Sequence, residues 1–405
     1  MKSKRNARIT ELAATLPGET PEGRQSASSN TQATTDISAA VVPFEARLTF
    51  SGRGSEYFRI WIVNTLLTLL TLGAYSAWAK VRKTRWFAQH TQLLGDSFDY
   101  HGKPWRIFLG RLLALALLAA YSHAFDFSLV AGFVTLGVLY IVGPVLFASA
   151  HRFRLANTSW RGLRFSYAAP RRRIFLTCVP LLLLWTFGTV LARLGIKQEW
   201  ILATVFLPVI PWPWAHARLK QLQHGYAGFG GQSFRFESAV FAFYKVYGWA
   251  LLLFVVLVLG YVWAIATTGF AISREFIDKK AAGFLAMFVI YFGVWQICLV
   301  VWSYLTVRLQ NLVWAKTRWG DVRFRSEMHF LPFTWLLLRS GLLTLLSAGL
   351  YWPFAAVAIA RYRVENLLVE SEQPLENRVI QGAGGVATLA AGDAAADLFG
   401  LDLGW

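Results

Sequence analysis

Charge is scarce in this chain, and carboxylates are scarcer. Of 405 residues 15% are charged, with 22 Asp and Glu against 40 Lys and Arg. A soluble chain carries about 25% charged residues. Paired carboxylates are missing from the apolar runs. That removes the usual groups for acid–base catalysis and for ion-coupled relays inside a membrane. Two cysteines, Cys178 and Cys298, both lie in apolar runs, which excludes a disulfide framework. The seven histidines form no His-x3-His pair. There is no Gly-x-Ser-x-Gly elbow, no Walker loop and no His-Glu-x-x-His. The expectation is therefore no enzyme, no metal site and no cofactor.

What the chain has is long apolar runs. Hydrophobic residues make up 56% and mean hydropathy is +0.43. Together these point to a polytopic membrane protein. The net charge of +18 sits in short loops between the runs, so the expected partner is a bilayer with anionic phospholipid and not nucleic acid. The first 43 residues are polar and read as a disordered tail with no signal-peptide pattern; 44–370 read as the multi-pass domain; 371–405 read as a disordered acidic tail.

Glu56–Ala79 reads as a first membrane segment. Three pairs of spans follow at about 107–124 and 128–150, 174–192 and 200–216, 246–269 and 281–306. A last apolar segment covers about 333–360. The loops 80–106, 151–173, 217–245 and 307–336 hold 22 Lys and Arg, whereas the intervening loops hold 5. Basic loops stay on the cytoplasmic side, so the first set is expected there.

Pieces of the pattern recur. Arginines close successive membrane units at Arg82, Arg154, Arg218, Arg308 and Arg363. A Phe stands 16 residues after three of them (Phe98, Phe234, Phe324), but Phe165 follows Arg154 by only 11, as if five residues were deleted. Thr91-x3-Gly95-x2-Phe98-x-Tyr100 matches Thr158-x3-Gly162-x2-Phe165-x-Tyr167. The two ends echo each other: Leu66–Tyr75 and Leu342–Tyr351 agree at seven of ten positions, including Gly73 and Gly349. Duplication explains this better than shared leucine content. The alternating pieces near Phe50, Phe98, Phe165, Phe234 and Phe324 suggest small cytoplasmic β elements.

The motif Thr71-Leu-Gly-Ala-Tyr-Ser-Ala-Trp-Ala-Lys-Val-Arg82, followed by Arg85-Trp-Phe87 and Phe98-Asp-Tyr100, resembles the YjgN-like family of bacterial inner-membrane proteins. Ala74 stands where that family is expected to carry Ile. The resemblance covers about 45–370. It implies a multi-pass protein of the bacterial inner membrane with no assigned biochemical role, and it supplies no catalytic residues.

The expected fold is an all-α polytopic membrane protein with six to eight helices and short strand-like cytoplasmic segments. Eight crossings follow if the end segments span once. Six follow if they turn back at Gly73 and Gly349. The five arginines are candidate contacts for lipid head groups or another anion, because guanidinium binds phosphate bidentately. Asn64, Arg111 and Arg339 lie in or near spans and are candidates for a solute path or for helix packing. Two function classes follow: a solute permease or pore, and a membrane-organising protein that holds anionic lipid on a basic cytoplasmic face.

Overall fold

The computed structural model describes residues 44–195, 209–272 and 279–372. The expected tails at 1–43 and beyond Glu372 lie outside the described residues, as does much of the expected span at 200–216. The chain is not all-α. The strand-like pieces join into one antiparallel sheet, ordered β5-β4-β3-β2-β1-β11-β10-β9-β8-β7-β6. The strands are β1 (Phe44–Phe50), β2 (Thr91–Leu93), β3 (Asp96–Tyr100), β4 (Thr158–Trp160), β5 (Leu163–Arg164), β6 (Ser166–Tyr167), β7 (Ala227–Phe229), β8 (Gln232–Phe236), β9 (Thr317–Trp319), β10 (Val322–Ser326) and β11 (Leu367–Ser371). Only Phe165 separates β5 from β6, which are the two ends of the sheet. The sheet therefore closes on itself as a barrel. Strands of two to seven residues are too short to stand alone, and closure leaves no edge unpaired. The first and last strands meet in it, with Phe44 opposite Ser371 and Arg47 opposite Leu368.

The helices are inserted between strands in pairs. They are α1 (Gly54–Leu70) and α2 (Ser76–Gln89), α3 (Pro104–Phe127) and α4 (Leu129–Ala156), α5 (Arg171–Arg193) and α6 (Trp212–His224), α7 (Val240–Ile272) and α8 (Lys279–Ala315), and α9 (Phe330–Leu346) and α10 (Trp352–Glu365). Among the described residues the order strand, two helices, strand thus runs five times. The two strands flanking each helix pair are bonded to each other: β1 to β2, β3 to β4, β6 to β7, β8 to β9 and β10 to β11. Each helix pair therefore leaves the barrel and returns to it. Tight hairpins join consecutive units at the other end, where Leu94-Gly95, Arg161-Gly162 and Gly230-Gly231 take positive φ.

Five helices among the described residues are long and apolar enough to cross a membrane: α3, α4, α5, α7 and α8. The end units are different. Glu56–Ala79 is not one span, because α1 stops at Leu70 and the chain turns. The segment 333–360 breaks in the same way after Leu346. With 17 residues each, α1 and α9 are about 25 Å long, short of a hydrocarbon core of about 30 Å. The two turns match bond for bond. Leu72 and Gly73 have φ of 49° and 91°; Ala348 and Gly349 have 49° and 92°. Gly73 N–H donates to the Thr68 carbonyl and Gly349 N–H to that of Thr344 (2.7 and 2.8 Å). Thr71 Oγ1 accepts from Tyr75 N–H as Ser347 Oγ accepts from Tyr351 N–H, both at 2.9 Å. The break lies where a residue without Cβ relieves left-handed backbone.

Alternation along the strands decides what fills the barrel. Ala46 and Leu48 of β1, Leu93, Phe98, Trp160, Phe165, Phe229, Phe234, Trp319, Phe324 and Val369 form one apolar cluster. Ring centroids of Phe165 and Phe229 lie 4.6 Å apart, Phe229 and Trp319 5.5 Å, Phe234 and Phe324 5.8 Å. Both indoles find acceptors inside: Trp319 Nε1 donates to the Phe229 carbonyl at 3.1 Å and Trp160 Nε1 to that of Asp96 at 3.3 Å. An eight-stranded barrel is just wide enough to be filled by side chains. This one is wider, and large rings occupy the extra width.

The next inward layer sits two residues on. Tyr100, Tyr167 and Phe236 pack among the helix ends, and so does Phe50. Phe50 is thus the counterpart of Tyr100, and Leu48 the counterpart of Phe98. In the first unit the recurring Phe is replaced by Leu48.

Candidate functional site

Strand starts give a firmer register than the arginines do. Thr91, Thr158 and Thr317 open β2, β4 and β9, and each donates its hydroxyl to the carbonyl four residues earlier, at 2.9, 2.9 and 2.8 Å. Ala227 and Leu367 open the other two strands that follow a helix pair. Counted back from these residues, the five arginines separate into two sets. Arg82, Arg218 and Arg308 stand nine residues before their strands; Arg154 and Arg363 stand four before theirs. Five residues of helix amount to about 7.5 Å and about 140° of rotation. The single row of arginines expected from the sequence is therefore two sets at two levels. No residues are deleted before Phe165: Ser149 occupies the position of Arg82, and Arg154 that of Phe87.

The two sets meet different surroundings. Arg82 and Arg308 are exposed. Arg82 Nη1 reaches Asn64 Oδ1 at 3.4 Å, which gives buried Asn64 a partner inside the first unit. Arg308 lies over the Tyr304 ring at 5.7 Å, and Arg218 donates to Gln221 Oε1 at 3.1 Å. By contrast Arg363 Nε donates to Gln310 Oε1 at 2.7 Å, and Gln310 Nε2 donates to the Arg363 carbonyl at 3.1 Å. Gln310 stands seven residues before its strand. The same relation, seven in one unit against four in the next, brings His151 Nε2 to 3.4 Å from Nε2 of Gln223.

That relation, seen at these two places, defines a partial polar collar on α4, α6, α8 and α10, beside the barrel. On α4 it presents His151 and Arg154, three residues apart and on one face. On α6 it presents Lys220, Gln223 and His224, again on one face, and the His151–Gln223 contact sets the two faces against each other. Lys220 is only 5% exposed. The His224 ring packs edge-on to Trp314 at 5.5 Å, and Trp314 in turn meets Phe324 of the barrel at 5.4 Å. His224 lies outside the five long apolar helices. Burial, then Lys220, His151 and Arg154, push its pKa down to about 3, so it is neutral at pH 7. The fifteen residues at positions seven, four and three before the strands include no Asp or Glu.

The remaining predicted residues fall elsewhere. Arg111 of α3 donates to Ser76 Oγ at 2.5 Å and so ties a long helix to the start of α2, just past the Gly73 turn. Arg339 is exposed on α9. Asp126 is in the last turn of α3, not in a loop, and pairs with Arg193 at 2.6 Å. A groove of about 440 Å³ runs beside the Gly349 turn, between Trp295, Leu299, Ser340, Gly341 and Trp352.

Outside the barrel, a cleft of about 470 Å³ holds Asp99, His101, Ser159, Arg161 and Arg164. His101 Nε2 is 2.9 Å from Ser159 Oγ. Asp99 Oδ2 is 3.7 Å from His101 Nδ1, beyond hydrogen-bonding distance, so the three do not form a relay. Sequence reading missed this group because strand pairing alone joins residues 58 apart.

Comparison with known proteins places the chain in a family. A family model described as "Bacterial protein of unknown function (DUF898)" matches residues 45–398. The chain belongs to the DUF898 family. It is 25% identical over 375 residues to the inner membrane protein YjgN of Salmonella typhimurium strain LT2, covering 82% of this chain and 92% of that one. It is 24% identical over 361 residues to the protein of that name from Escherichia coli O157:H7, covering 78% and 86%. No solved structure matches. The DUF898 match begins in β1 and takes in every described strand and helix, so the resemblance read from Thr71–Arg82 extends over the whole membrane domain and barrel. The collar escaped the sequence reading because its members are His, Lys, Gln and Arg in different units. The signal for it is the distance to the strand, not residue identity.

Proposed function

We propose that this DUF898 member is a six-crossing protein of the bacterial inner membrane that holds anionic phospholipid around a basic waist. Six crossings fit a barrel to which every helix pair returns: α3, α4, α5, α7 and α8 supply five, the return from α5 to α6 requires a sixth, and the two end pairs turn back at Gly73 and Gly349. The barrel carries the basic hairpin loops, which favours the cytoplasmic side for it and for both ends of the described chain. Duplication of one strand–helix–helix–strand unit accounts for the recurring order.

The observation that carries the lipid reading is the exposed basic residues where helices enter the barrel. Arg82 and Arg308 lie near the ends of second helices; Arg106, Arg171, Arg172, Arg173 and Lys245 lie near the starts of first helices, all exposed. Phosphate groups sit at that depth of a bilayer, and each nearby Lys or Arg contributes about 1 kcal/mol of attraction to an anionic surface. An open pore through the barrel is the weaker reading, because aromatic rings fill the interior. A permease with a gated path remains the second reading, and the polar collar favours it. No catalytic step is assigned.

Native mass spectrometry of the full chain in uncharged detergent tests the proposal. Retained phosphatidylglycerol or cardiolipin, lost when Arg82, Arg218 and Arg308 become Gln, is the expected result. Retention unchanged in that variant, or a bound solute with no lipid, would overturn it.

A further inference from the structure

The two end turns share their bonds but not their surroundings. The alignment of Leu66–Tyr75 with Leu342–Tyr351 makes Arg339, Ser340, Gly341 and Trp352 the counterparts of Val63, Asn64, Thr65 and Ser76. In the first pair other cations of the chain reach this surface: Arg82 meets Asn64, and Arg111 meets Ser76. In the last pair the cation stands on α9 itself. Arg339 is exposed, and among the described residues no hydrogen bond or ion pair holds it. Beside it runs the groove of about 440 Å³. A Cβ at Gly341 would stand 2.9 Å from the Trp295 ring, so the missing side chain lets that indole form a wall. Exposed Trp352 lines the groove near the Gly349 turn.

Helix register sets Arg339 against this groove. Ser303 Oγ of α8 lies 2.6 Å from Thr334 Oγ1 of α9. The two helices run antiparallel, so Leu299 and Arg339 stand level, each about 6 to 7.5 Å further from the barrel. Leu299 lines the groove, which puts Arg339 at its barrel-side end. Arg339 is nine residues into α9, about 13 Å along it. A cation at that depth of a bilayer marks a place where an anion meets it. Helical side chains tilt toward the N-terminus, here the barrel end, and a long stem carries the guanidinium to the level of lipid phosphates. Because the turn stops short of a full crossing, the groove opens on hydrocarbon.

We propose that the last helix pair holds one membrane phospholipid, with an acyl chain in the groove between Trp295 and Trp352 and its phosphate on Arg339. This rests on the bilayer placement of the proposed function, but not on the waist arginines. Guanidinium takes a phosphate through two parallel hydrogen bonds, and each methylene laid in the groove adds burial.

The test uses the full chain in phosphatidylcholine vesicles that contain a small share of phosphatidylglycerol with a diazirine on its acyl chain. Irradiation and peptide mass spectrometry read where the lipid attaches. Attachment at 295–299 and 340–355 is expected to exceed that at exposed Phe254, Val256 and Trp263 of α7 by at least about fivefold, the share one cation contributes. Thr344→Phe fills the groove and should cut attachment there at least about tenfold, since methylenes lose their burial. Arg339→Gln should cut it about fivefold, and Arg339→Lys should keep most of it. Arg82→Gln with Arg218→Gln and Arg308→Gln should leave it within about twofold, because the sites are separate. That last variant tells the two readings apart: lipid lost from the waist with groove attachment intact sinks the waist alone. Attachment spread evenly over α7 and the groove means annular lipid only and overturns the proposal. Attachment that survives both Thr344→Phe and Arg339→Gln overturns it too, as does loss through the waist arginines alone. If Thr344→Phe does not fold, Arg339→Gln and Arg339→Lys, at an exposed position, decide the matter.

Discussion

The barrel interior and the collar lie side by side, one or two helical turns apart, yet they are built from opposite chemistry. The barrel interior takes the inward position of each strand and fills it with Trp, Phe, Leu, Ala or Val. The collar lies in the last turns of the second helices, where α4, α6, α8 and α10 carry His151, Arg154, Lys220, Gln223, His224, Gln310 and Arg363 among apolar neighbours. An apolar interior that wide would be a channel if small residues lined it; large rings make it a plug. A polar layer that deep would be destabilising without partners, and hydrogen bonds across adjacent units supply some of them. The contrast teaches that strand and helix positions a few residues apart around one ring can carry opposite chemistry. The strand positions are apolar throughout, and the helix positions admit Lys, Arg, His or Gln in four of the five pairs.

Breaking the plug should have the largest effect. Trp319→Ala removes a buried indole and its hydrogen bond to Phe229. Loss of a buried large aromatic costs about 3–5 kcal/mol. A large fall in melting temperature is expected in detergent, and no change would mean that the barrel interior does not hold the fold. Next come the turns. Gly73→Val or Gly349→Val forces a β-branched residue to φ near 91° or 92°. Such strain costs on the order of 1–3 kcal/mol. Each should destabilise alike, since the two turns share their bonds; a difference between them would break the equivalence of the end units.

The collar should show itself through pH. His224 has a folded pKa lowered from 6.5 to about 3. As pH falls below 6.5 the unfolded chain takes up a proton that the folded chain refuses. Stability therefore declines between about pH 6.5 and 3 and stays level, as far as this group is concerned, above 6.5. In His224→Leu that part of the acid loss should disappear. The groups facing His224 are Lys220, His151 and Arg154, all of which oppose its protonation. Smallest of all is the waist: Arg82→Gln with Arg308→Gln should shift stability by less than about 0.5 kcal/mol, as surface changes do, while releasing lipid.

The sequence made the apolar spans legible because twenty-residue runs leave little choice of structure. It marked turns at Gly73 and Gly349 as one of two readings, because a Gly followed by an aromatic and a basic helix interrupts each run, and left a single span as the other. The strand pieces were legible one at a time from Phe98-Asp-Tyr100 and its echoes. Their closure into a barrel was not, since it depends on pairings such as Phe44 with Ser371. The level of the arginines was misread for a physical reason. Surface charge drifts along a helix at little cost, whereas the threonine that opens a strand and the residue two before the inner aromatic layer are held by hydrogen bonds and packing. Register belongs to Thr91, Thr158 and Thr317.

The central claim is that all five helix pairs start and end on one barrel at one face of the membrane. Single cysteines placed at Ser97, Arg164, Gln232 and Arg323, all exposed on four different hairpins, test it in a background without Cys178 and Cys298. Labelling with a membrane-impermeant thiol reagent in intact cells and in inverted vesicles reads the side of each. The barrel predicts that all four react in inverted vesicles and none in intact cells. Even one hairpin labelled from the opposite side to the others would contradict it.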